Sequence, residues 1–90
     1  MRIKLLGRYW QFRFARMRGQ NDGTCDQPTK PHKEIRVAAG LEPKRELYCT
    51  VHEATHACDW SKDEEWVVEF SRDLTDLLWR LGYRRLTADR

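Results

Sequence analysis

Residues 8–16 alternate, with Trp10, Phe12 and Phe14 on one side and Gln11 and Arg13 on the other. Period two with aromatics predicts a strand with one buried face, and it can begin earlier, near Ile3. The pattern is lost over 17–32. Gly, Asn, Asp and Pro dominate there, which predicts a loop, long for a compact domain. Alternation returns over 33–38, with Ile35 and Val37 inward, and Gly40 closes the segment. Pro43 suits the first turn of a helix expected over 43–58. Leu47, Val51, Ala54 and Cys58 recur at i, i+4, i+7 and i+11, a single apolar stripe that predicts Cys58 as a small buried hydrophobe. Ser61 followed by Glu64 matches a capping box, so a second helix is expected over 62–81. Its apolar face is wide, from Trp66, Val67 and Phe70 to Leu78 and Leu81, and Gly82 ends it. Residues 82–90 read as a basic, polar tail expected to fray. The expectation is an α+β fold: one domain, residues 1–90, with a sheet of two strands, or three if a strand begins near Ile3, packed on an antiparallel helix pair.

Composition narrows the classes of function. The chain has 90 residues, 40% hydrophobic and 34% charged, which suits a globular domain with a small core. A bound metal would help to hold such a core together. Net charge is +3, from 17 Lys and Arg against 14 Asp and Glu. The arginines cluster toward both ends. No nucleic-acid-binding signature accompanies them, so a solvated surface is favoured over a nucleic-acid interface. Three cysteines and the lack of an apolar leader in residues 1–7 point to a reduced, cytoplasmic setting. No run is long enough to span a membrane.

The chemistry concentrates in His52-Glu53-Ala54-Thr55-His56, the pattern H-E-x-x-H on the first helix. Residues i and i+4 share a helix face, so His52 and His56 can bind one zinc ion together. Glu53 projects beside the metal, where it can act as general base on a zinc-bound water. Both histidines lie off the apolar stripe, so burial does not explain them.

A zinc hydrolase needs a third protein ligand. The remaining histidine, His32, lies in the loop before the helix, which leaves the carboxylates after His56: Asp59, Asp63, Glu64, Glu65 and Glu69. With a turn centred near residue 60, Glu69 reaches back to the level of the metal. Glu64 is already occupied as the capping-box partner, and Glu65 leans away. Asp73, one turn beyond Glu69, suits a second carboxylate that holds a histidine tautomer. The rival is a closed, non-catalytic zinc site in which Cys49, at i, i+3, i+7 with the histidines, and Cys25 complete a Cys2His2 set.

His52-Glu53-x-x-His56 followed by Glu69-x-x-x-Asp73 resembles the gluzincin metallopeptidases. The resemblance implies Glu69 as third zinc ligand, Asp73 behind a histidine, and a peptide or protein substrate. The upstream Gly23-Thr24-Cys25 loop and the strand before the helix are similar to SprT-like compact zincins. Together they lead us to expect a minimal zincin hydrolysing amide bonds, with β-pairing of an extended peptide to the strand at 33–37. Tyr48 or an arginine would serve as oxyanion stabiliser.

Overall fold

The computed structural model describes residues 1–86. Its elements are β1 Arg2–Leu5, β2 Arg8–Ala15, β3 Gly23–Cys25, β4 Glu34–Ala38, α1 Pro43–Cys58 and α2 Glu64–Arg80. They make a small α+β fold in which the sheet has four strands, in the order β1-β2-β4-β3, where the pattern predicts two or three. β1 joins β2 through Leu6 and Gly7, both at positive φ (48° and 78°), a two-residue hairpin turn that matches strand twist. β3 is three residues long and sits inside the predicted loop. It is too short for alternation to register, and it pairs antiparallel with β4.

Pairing fixes which residues meet. β2 and β4 run parallel, with Phe12 opposite Ile35 and Phe14 opposite Val37. Trp10, Phe12, Ile35 and Val37 join Cys49 and Ala57 of α1 in the core. Gly23 and Cys25 of β3 pair with Val37 and Ile35 and so face α1 as well. The opposite face is wet. Arg13 and Arg36 both ion-pair with Glu34 there, and Arg36 also with Asp26.

The helices depart from the predicted stripes. The buried line of α1 is Cys49, Glu53 and Ala57. Leu47, Val51 and Ala54 are half-buried and Cys58 is exposed. The reason is that α1 is a middle layer, covered by the sheet on one side and by α2 on another, so no single stripe describes it. Helix α2 is capped by Asp63, whose side chain accepts from Trp66 N at 2.8 Å, and not by Ser61, which turns back to Asp59. Its predicted apolar face is split. Val67, Ser71 and Thr75 form its buried line, while Trp66, Phe70, Leu77 and Leu81 are exposed. Small Ser71 and Thr75 suit a close helix approach, but their hydroxyls are buried without partners. Removing an unsatisfied buried hydroxyl relieves a cost of about 1 kcal/mol. Ser71→Ala is therefore expected to raise stability in a urea melt, and a loss of stability would show that the hydroxyl is satisfied in solution.

Part of the tail expected to fray is tied down. Arg85 forms a bidentate pair with Glu46 of α1 at 2.7 and 3.0 Å, and Arg84 lies 3.2 Å from the centre of the Trp79 ring. Residues 87–90 of that tail lie outside the described residues.

Candidate metal centre

His52 and His56 sit on consecutive turns of α1, with their Nε2 atoms 3.2 Å apart. The third donor comes from the start of α2. Glu64 Oε1 lies 2.9 Å from His52 Nε2, and Glu64 Oε2 lies 2.9 Å from His56 Nε2. Among the described residues these three form the one group of donors that could hold a metal ion, with one donor atom from each within 4.8 Å of the others. Tetrahedral ligation at zinc–ligand distances near 2.05 Å sets neighbouring donors about 3.3 Å apart. The histidine pair at 3.2 Å matches that spacing, and Glu64 meets each ring through a different oxygen, so the group could hold a metal ion.

This corrects the ranking of carboxylates. Glu69 and Asp73 line a separate groove with Trp66, Phe70, Leu74 and Leu77, away from the histidines. The ranking assumed a turn at residue 60 and a helix already formed at 62. Instead residues 59–63 connect the helices, and the first turn of α2 stands beside the last turns of α1. Asp63 takes the capping role, which frees Glu64 to turn toward the histidines. The Asp63-x-x-Trp66 pattern was the signal available for this, since Asp is as good a cap as Ser.

Asp73 is also not the partner of a ring nitrogen. His52 Nδ1 lies 3.3 Å from the Tyr48 hydroxyl, one turn earlier on α1. For Nε2 to face a metal with its lone pair, Nδ1 must carry the proton and donate it to Tyr48. Burial pulls the His52 pKa below its ordinary value, with Glu64 acting in the opposite sense. The neutral imidazole that a metal requires is thereby favoured.

Glu53 lies on the sheet-facing side of the same helix. It is 9% exposed, and its pKa is pushed up to about 7, first by burial and then by the charge of Glu64. Gly23 makes its position possible. A Cβ added there would stand 2.9 Å from Glu53 Cγ and 3.0 Å from Oε2. Gly23→Ala must therefore push the carboxyl out of its seat. The expected result is a fold retained by circular dichroism with metal still bound, and any activity that uses Glu53 reduced at least about tenfold. Unchanged activity would show that the carboxyl has room to move.

An open cleft of about 520 Å³ joins Glu53 to two of the three donors, His56 and Glu64, and is lined further by Thr24 and Cys25 of β3, with Trp60 and Lys62 at the helix connection. A more apolar cavity of about 400 Å³ lies on another side, among Phe12, Phe14, Leu47, Trp79 and Tyr83, and holds none of the three donors. The Cys2His2 alternative loses its geometry. Cys49 is 4% exposed in the core and belongs to no donor group with the histidines. Cys25 borders the cleft, but it too belongs to no donor group with the histidines, and in the metal-free protein burial and the charge of Glu53 push its pKa up to about 12. All three cysteines are free. His32, at positive φ in the connection before β4, lines a different surface with Arg2, Tyr9 and Trp10.

The expected peptide-pairing strand is corrected too. β4 is interior, hydrogen-bonded between β2 and β3, and the open edge beside the cleft belongs to β3. Ala38 N donates to Asp22 O and Asp26 N donates to Glu34 O. Antiparallel alternation then turns the backbone groups of Gly23 and Cys25 outward. Among the described residues, no helix is long and apolar enough to cross a membrane.

Comparison of the chain with models of known protein families, with curated proteins and with solved structures gives no match.

Proposed function

We propose that the chain is a zinc-dependent, peptidase-like hydrolase of minimal zincin type, with His52, His56 and Glu64 as zinc ligands and Glu53 as general base. The observation that carries this reading is the grouping of His52, His56 and Glu64, two of which, His56 and Glu64, share one cleft with the buried Glu53 carboxyl. Three protein donors would leave a fourth position for water on a bound ion, as catalytic zinc sites require. When bound, the zinc ion supplies Lewis acidity, polarising the scissile carbonyl and making the attacking water more acidic. Glu53 accepts the proton of that water and passes it to the leaving amine. In the metal-free protein its buried seat, with the charge of Glu64, pushes its pKa up to about 7. Tyr48 fixes the His52 ring through Nδ1 and so is a positioning residue. The substrate is an extended peptide segment whose backbone pairs with the outward groups of Gly23 and Cys25 on β3.

The test is metal content together with hydrolysis of a disordered protein such as casein. Purified protein is expected to hold about one zinc per chain. Cleavage should stop on chelation and return when zinc is restored. Failure to bind zinc after loading would sink the reading. Stoichiometric zinc with no cleavage, and with Glu53→Gln indistinguishable from wild type, would make the site structural.

A further inference from the structure

Helix α2 packs on α1 and on no strand. The side turned away from α1 is nevertheless strongly apolar. Trp66 and Phe70 are each 42% exposed, Leu77 53% and Leu81 66%. The two rings stack with centroids 5.0 Å apart, and they line an open groove with Leu74 and Leu77. An exposed apolar patch of this kind on a small protein marks an interaction surface.

We propose that this face joins two copies of the chain, paired antiparallel through α2. The sequence of the face is self-complementary in that direction only. Its aromatics lie in the first half of the helix and its exposed leucines in the second. A two-fold axis near residues 73–74 sets Trp66 and Phe70 of one copy against Leu81 and Leu77 of the other, an isologous contact that closes after two copies. Charge follows the same symmetry. Glu65 and Glu69 flank the first half, and Arg80, ion-paired at 3.6 Å with Asp76 of its own helix, flanks the second. Antiparallel helices bring like flanks together, so Arg80 of each copy lies level with Glu65 and Glu69 of the other. Parallel pairing would set acid against acid and leave the leucines to each other. Two features oppose the pairing: Asp73 lies beside the axis and faces its own symmetry mate, and Asp76 comes level with residue 71 of the other copy, close to its Glu69. Glu64 points toward α1, so the metal site stays open in the dimer and the proposal stands independently of the proposed chemistry.

The contact is a single helix pair about 25 Å long. That falls short of the roughly 800 Å² per partner of a standard interface, so dissociation in the range of about 10 µM is expected. Sedimentation equilibrium on the full chain, from about 1 µM to about 1 mM, tests it. The expected result is a reversible monomer–dimer equilibrium that weakens several-fold at high salt. Phe70→Glu and Leu77→Lys each alter an exposed side chain and should give monomers with unchanged helical circular dichroism. Asp73→Asn should tighten the dimer about threefold by removing the repulsion at the axis. A monomer throughout the range would overturn the proposal. So would a dimer indifferent to both the Phe70 and Leu77 changes, or open-ended association beyond two copies.

Discussion

Glu53→Gln is expected to keep its zinc and to lose hydrolysis by about 10³-fold, the scale at which a positioned general base contributes. Glutamine fills the same seat against Gly23 but accepts no proton, and Glu53 is not among the three candidate ligands. The same substitution has a second readout in the metal-free protein. The folded Glu53 carboxyl holds its proton up to about pH 7, against 4.5 for an ordinary glutamate. Below pH 4.5 the group is protonated in both folded and unfolded chains and costs nothing. As pH rises from there to 7, the unfolded chain ionises first and stability drains away, by roughly 3 kcal/mol once the folded group has ionised too. Glu53→Gln should therefore be the more stable protein at pH 8 and close to wild type at pH 4.5. His52 titrates in both proteins, so the difference between their urea melts isolates Glu53. A difference that does not grow with pH would show that the carboxyl is solvated.

Glu64→Ala is expected to weaken zinc binding by about 10²-fold, while Glu69→Ala leaves it unchanged. Structural zinc sites contribute on the order of 10 to 16 kcal/mol through four ligands, so one ligand is worth roughly 3 kcal/mol. Glu64 is the carboxylate within 2.9 Å of both Nε2 atoms, whereas Glu69 stands in the outer groove of α2. Competition of each variant with a chromophoric chelator measures the difference directly. The reverse result, zinc lost with Glu69→Ala and kept with Glu64→Ala, would require α2 to rotate on α1 when metal binds. Glu64→Ala should cost little fold stability without metal, because its side chain is 65% exposed.

Much of the chain announced itself locally. The alternation of Trp10 and Phe12, and of Ile35 and Val37, identifies two strands, because period two exposes one face and buries the other whatever the strand pairs with. Pro43 and the H-E-x-x-H spacing fix α1 and the pairing of His52 with His56, since i and i+4 adjacency is a property of the helix itself. The short connection makes α1 and α2 neighbours. Glu53 was legible as a candidate base for the same local reason.

What stayed hidden depends on elements remote in sequence. β3 is too short to carry a pattern and exists because β4 offers it an edge. Its Gly23 leaves room for Glu53, so the residue expected beside the histidines is also the one that lines the sheet-facing side of α1. The apolar residues of α2 form one broad face in the sequence, but a helix with one packing partner buries one line of it. The third ligand shows the division most sharply. Local rules assign both Ser61 and Asp63 as possible caps, and each choice gives Glu64 a different task. Only the way α2 stands against α1 decides that Asp63 caps the helix and that Glu64 meets His52 and His56. Spacing along one helix is set by the backbone, so the sequence determined the two histidines and Glu53. The distance between two helices is set by packing, so only the tertiary structure decided which carboxylate joins them.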